Sequence, residues 1–116
     1  MTWAPVCRYD DLQPERGVAA LIGGEQVAVF RLFDGVLYAI GNQDPLTGAF
    51  VLSRGIVGTR GDTPTVASPL HKQVFDLRTG ACLDDNRASV PVFGVRERDG
   101  RVEVDTPAGN TAGDAA

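Results

Sequence analysis

Ser68-Pro69-Leu70-His71-Lys72-Gln73-Val74-Phe75-Asp76-Leu77-Arg78-Thr79-Gly80 is the stretch on which the reading of this 116-residue chain turns. It begins and ends in turn residues, and between them lies one short apolar run, 74–77, that reads as a strand entered and left through loops. An earlier stretch has the same character: Asn42-Gln43-Asp44-Pro45-Leu46-Thr47-Gly48-Ala49, a turn-rich loop directly after a candidate strand.

Outward from these two loops, fourteen glycines and seven prolines divide the chain into short apolar segments. No window carries the i, i+3, i+4, i+7 apolar stripe over the roughly ten residues that a helix needs, so the chain reads as mostly β. Candidate strands are 2–8, 17–22, 26–33, 36–40, 56–59, 65–67, 74–77, 91–98 and 101–105. Turn chemistry at Gly23-Gly24, Asp34-Gly35 and Asp99-Gly100 implies three antiparallel hairpins. Val36, Tyr38 and Ile40 share one face of their strand. Val102 and Val104 alternate with Arg101, Glu103 and Asp105, as on a half-solvated sheet. Residues 10–16 suit a single helical turn, and Asp84-Asp85-Asn86-Arg87 a polar turn. Residues 106–116 have no large apolar side chain to anchor them and read as a disordered tail. No internal repeat is visible.

The 68–80 stretch resembles the ligand loop of a Rieske iron–sulfur domain, whose pattern C-P-x-H-G-x-x-F-D-x-x-T-G is matched at Pro69, His71, Phe75, Asp76, Thr79 and Gly80. The earlier loop then falls on the C-x-H-x-G-A element, matched at Gly48 and Ala49. A Rieske cluster takes two thiolates on one iron and two imidazoles on the other. The resemblance places Asp44 and Ser68 at the thiolate positions and Leu46 and His71 at the imidazole positions, which implies that the cluster chemistry is gone.

With these replacements the chain is similar to the small-subunit family of the assimilatory NAD(P)H-dependent nitrite reductases. The likeness runs over about residues 3–105 and is carried by Trp3, Cys7, Gln26-Val27-Ala28-Val29-Phe30-Arg31, Ala39-Ile40-Gly41-Asn42-Gln43-Asp44-Pro45, Val51-Leu52-Ser53-Arg54-Gly55-Ile56-Val57-Gly58 and Lys72-Gln73-Val74-Phe75-Asp76-Leu77. It implies an all-β, Rieske-like antiparallel sandwich over residues 1–105, with a small loop subdomain at about 44–83. It further implies a cofactor-free accessory subunit. The partner would be a catalytic large subunit carrying FAD, siroheme and a four-iron cluster, using NAD(P)H to reduce nitrite to ammonium. Two other readings of the same fold stay open: a Rieske-type ferredoxin that carries electrons, and a free-standing interaction or regulatory module.

Composition narrows the classes further. The net charge of −4 and the absence of any basic run argue against nucleic acid. No stretch approaches the ~18 apolar residues of a membrane span, and Met1-Thr2-Trp3-Ala4-Pro5 has no signal-peptide character, so a cytoplasmic protein is expected. Cys7 and Cys82 form no CxxC pair and read as small apolar residues. No triad order, phosphate-binding loop or dinucleotide fingerprint can be assembled.

The candidate site is therefore a docking surface. Pro45 and Leu46 would supply its apolar centre, with Arg54, His71 and Lys72 as polar neighbours on loops at one end of the sandwich. His71 with Asp44 would make at most two ligands of a metal site. Asp44 more simply closes an Asx-turn before Pro45, and the Ser68 hydroxyl satisfies loop amides.

Overall fold

The computed structural model describes residues 2–106. The nine strands are β1 (Thr2–Arg8), β2 (Arg16–Ile22), β3 (Glu25–Arg31), β4 (Leu37–Gly41), β5 (Ile56–Arg60), β6 (Thr63–Ala67), β7 (Val74–Asp76), β8 (Val92–Arg98) and β9 (Arg101–Thr106). Six of them form one sheet in the order β1-β9-β8-β4-β3-β2, and three form a second in the order β5-β6-β7. All pairings are antiparallel. The smaller sheet is inserted in sequence between β4 and β8, adjacent strands of the larger one.

Turn residues account for this register. Gly23 and Gly24 have φ of +58° and +83°, and Asp99 and Gly100 have +53° and +80°. Positive φ at both central positions matches the twist of the flanking strands, so β2–β3 and β8–β9 close as two-residue hairpins. Gly61, with φ +64°, opens the β5–β6 turn, for which the sequence carries only a Gly-Asp signal. The Asp34-Gly35 connection is longer than a two-residue hairpin. β3 ends at Arg31 and β4 starts at Leu37. Between them Leu32 N–H donates to Val36 O, and Gly35 turns the chain at φ +87°. Val36, expected to open this strand, therefore lies just before β4 and is exposed, while Tyr38 and Ile40 share a face as expected.

β3 organises the interior. Val27, Ala28, Val29 and Phe30 expose no surface, and alternate residues enter different cores. Ala28 and Phe30 join Ile40, Leu52, Val66, Phe75, Leu77 and Cys82 between the two sheets. Val27 and Val29 face the other way, onto Leu12, Ala39, Phe93, Val102 and Val104. The alternation of Val102 and Val104 is as expected, but Glu103 is not freely solvated: it accepts a 2.7 Å hydrogen bond from Arg96 Nε, and the Arg96 guanidinium stacks 4.0 Å over Trp3.

Helical structure is limited, among the described residues, to two 3-10 turns at Tyr9–Asp11 and Leu52–Arg54. The first lies one residue earlier than the expected 10–16 turn and stops at Leu12, whose side chain is anchored in the core. The second carries no capping side chain and had no signal in the periodicity. Thr106, read as the start of the tail, closes β9 opposite Thr2; the rest of the tail lies outside the described residues.

Because Phe30 sits where Phe75 and Leu52 meet between the sheets, Phe30→Ala is expected to cost about 3–5 kcal/mol, read as a lower urea midpoint in equilibrium unfolding.

Candidate functional site

Two loops of the chain are the same six-residue turn. Residues 44–49 and 76–81 share the letters D-x-x-T-G-A, a short repeat present in the sequence that corrects the reading of no internal repeat. In each, the aspartate side chain accepts the N–H two residues on, at 2.8 Å for both Leu46 and Arg78. The glycine N–H returns to the aspartate carbonyl, at 2.7 Å in both. The threonine hydroxyl accepts the alanine N–H at 3.2 Å in both, and the aspartate N–H closes the ring onto the alanine carbonyl at 2.8 and 2.9 Å. Gly48 and Gly80 stand at φ +80° and +79°.

Residues 68–73 repeat the backbone pattern with other letters. Lys72 N–H donates to Ser68 O, Ser68 N–H to Gln73 O, and Leu70 N–H to Ser68 Oγ at 3.3 Å. Here Lys72 occupies the glycine position, at φ +62°. A side chain in this left-handed region costs about 1–2 kcal/mol.

The first and third turns meet through their opening residues. Ser68 Oγ donates to Asp44 Oδ2 at 2.6 Å, and both residues are buried, Asp44 with no exposed surface. Ser68 Oγ already receives the Leu70 amide, which leaves its hydroxyl hydrogen for Asp44 Oδ2, while Asp44 Oδ1 accepts the Leu46 amide. Both expected roles are thus observed, the Asx-turn at Asp44 and the amide-satisfying hydroxyl at Ser68. Their direct bond was not foreseen.

Asn42 ties this apex to the Leu52–Arg54 turn. Its carbonyl accepts Leu52 N–H at 3.1 Å, its Oδ1 accepts Ser53 N–H at 2.7 Å, and its Nδ2 donates to Gln26. Buried Asn42 therefore joins the Asn-x-Asp-Pro and Leu-Ser-Arg-Gly strings physically. The expected polar turn at 84–87 is also structural. The Val74 N–H and then Arg60 hold the Asp84 carboxyl below the usual range, and the Arg87 side chain and amide do the same for Asp85. Both contribute above the ordinary carboxyl value of about 4 and cease to contribute as pH falls through their lowered values.

Pro45 and Leu46 are exposed on the first turn, and His71 and Lys72 on the third, the two turns joined at the Asp44–Ser68 bond. Leu70, half exposed, belongs with them and was missed: it occupies in the third turn the place that Leu46 occupies in the first. Arg54 is not at this end cluster. It lines a separate groove with Arg16 and Ile56, because the 3-10 turn carries it toward β2.

A Rieske-like [2Fe-2S] domain model matches residues 2–105. The NADH nitrite reductase small subunit of Escherichia coli K12 is 44% identical over 103 residues, covering 88% of this chain and 95% of that protein. The chain belongs to the Rieske-like family of nitrite reductase small subunits. A crystal structure from Mycobacterium tuberculosis, described as an NADH-dependent member of this small-subunit family, is 53% identical with a TM-score of 0.86, covering 89% of this chain and 93% of that one. A nitrite reductase [NAD(P)H] large subunit from Klebsiella oxytoca is 39% identical over 102 residues, which is 88% of this chain but 11% of that protein.

The donor set of this small subunit does not fit the two-iron cluster of the wider family. The Asp44 and Ser68 side chains are hydrogen-bonded to each other where two thiolates would converge on one iron, and Leu46 brings no donor atom. Cys7 lies on β1, and Cys82 is packed in the core beside Phe75. His71 with Asp44 would supply two donors, and no group of three or more His, Cys, Asp or Glu side chains is placed to hold a metal among the described residues.

Asp44→Ala strands the Ser68 hydroxyl and the Leu46 amide, and is expected to cost about 2–3 kcal/mol. Lys72→Gly relieves the left-handed backbone and is expected to add about 0.5–1 kcal/mol. Urea unfolding of the two variants should move in opposite directions from the wild type.

Proposed function

We propose that this chain is the accessory small subunit of a cytoplasmic NAD(P)H-dependent nitrite reductase, that it holds no cofactor, and that it acts by docking through its apex on the catalytic large subunit. The partner, on this reading, carries FAD, siroheme and a four-iron cluster and performs the six-electron reduction of nitrite to ammonium. The observation that carries the proposal is the Asp44–Ser68 bond. It joins, through two oxygen-bearing side chains, the two loops that the Rieske resemblance assigns to cluster ligation, which supports a cofactor-free reading. Leu46 and Leu70, each two residues beyond a member of that bond, remain as exposed apolar groups beside His71 and Lys72. An apolar centre with a polar rim is the anatomy of a protein interface. A domain like this one within a large-subunit chain supports the same partnership. The same bond weighs against the electron-carrier reading, since it engages both side chains at the expected thiolate positions.

Two measurements test this. The purified chain should be colourless, and stoichiometric iron with visible absorption would overturn the cofactor-free assignment. Leu46→Asp should weaken binding to the purified large subunit by well over tenfold, since a central anchor is worth about 2 kcal/mol or more. Arg98→Glu, an exposed change on the β8–β9 hairpin, should leave binding within about twofold. Equal binding by folded Leu46→Asp and wild-type chains would remove the apex from the interface.

A further inference from the structure

A groove of about 440 Å³ runs between β2 and β5, which are edge strands of the two different sheets. Two glycines allow the chain to close on itself there. A Cβ on Gly17 would meet the Ser53 carbonyl oxygen at 2.5 Å and the Phe30 ring at 2.6 Å, and one on Gly55 would strike the Ala67 carbonyl. The Leu52–Arg54 turn is held from below by the Asn42 bonds to Leu52 and Ser53. The groove is therefore a built feature with a fixed floor.

Its charge is uncommitted. Arg16 from β2 and Arg54 from the turn both line it, both are exposed, and neither is in an ion pair among the described residues. Arg60, Arg78, Arg87 and Arg96, by contrast, each pair with a carboxylate. Glu15 is the acidic residue of the lining, and its Oε2 already accepts the Phe33 N–H at 3.0 Å. Beside the two guanidiniums, Ile56 is 70% exposed at the start of β5.

Two spare guanidiniums next to one bare aliphatic side chain define a ligand chemistry. We infer that this groove receives an acidic segment of the large subunit, with an Asp or Glu carboxylate held between Arg16 and Arg54 and an adjoining apolar side chain seated on Ile56. The inference rests on the docking reading above and adds a second, electrostatic contact away from the apex. Guanidinium forks suit carboxylates because two parallel N–H bonds fix the plane as well as the charge. The choice of an acidic partner follows from local charge complementarity to Arg16 and Arg54, which stand out in a chain whose overall charge of −4 would by itself repel an acidic segment.

The test uses the full chain and the purified large subunit, with binding followed at about 50 and about 300 mM salt. Arg16→Glu and Arg54→Glu should each weaken binding about tenfold, and the double reversal should remove most of the salt dependence. Arg54→Lys, which keeps the charge and loses the fork, should fall between Arg54→Glu and the wild type. Both positions are exposed, and unchanged melting curves should show that the variants fold. A double reversal that binds within about twofold of the wild type, with the same salt dependence, overturns the inference. If Leu46→Asp is damaging in that same series, the apex reading survives and only the groove fails. If the wild-type chain does not bind the large subunit at all, both readings fail together.

Discussion

The hydrogen bond from Ser68 Oγ to Asp44 Oδ2 is the constraint on which the apex of this molecule depends. Each of the two turns is closed by its own backbone bonds, but their relative placement is a separate matter, and this contact is where they touch. Burial strengthens such a bond by excluding water and penalises any arrangement in which either partner is left alone. At 2.6 Å the contact is short for a hydroxyl donor, so it holds the two side chains closely. The pair thus joins the two loops directly, so long as both members are present.

Further in, the architecture depends on β3 having two apolar faces. Alternation along Val27, Ala28, Val29 and Phe30 gives each core two side chains, so the sheet is a shared wall rather than a lid. Gly17 opposite Phe30 lets the Leu52–Arg54 turn lie directly against that wall. The position of the smaller sheet follows from how closely two backbones are allowed to approach.

Much of this was legible in the letters. The nine strands of the described residues each overlap an expected one, and the ends are sharpest at Gly23-Gly24 and Asp99-Gly100, where the pair specifies backbone angles as well as position. Local propensity was silent where the decisive bond is long-range. Asp44 and Ser68 each have a complete local explanation in their own turns, so nothing in either stretch announces the other. The Leu52–Arg54 turn has no cap and no stripe; it is imposed by Asn42 from ten residues away. Arg16 and Arg54 come together only because β2 and β5 are edges of different sheets, a relation that exists in space and not along the chain.

The recurrence of one turn at 44–49, 68–73 and 76–81 bears on how such a domain changes over evolutionary time. Its closing bonds run between backbone groups, and its first residue needs only a side-chain atom able to accept one N–H. Aspartate fills that place twice and serine once, with the ring unchanged in size. Substitution there exchanges the chemistry presented at the tip while leaving the loop's shape to the main chain. A lineage can then lose or acquire a reactive group at such a position without passing through an unfolded ancestor.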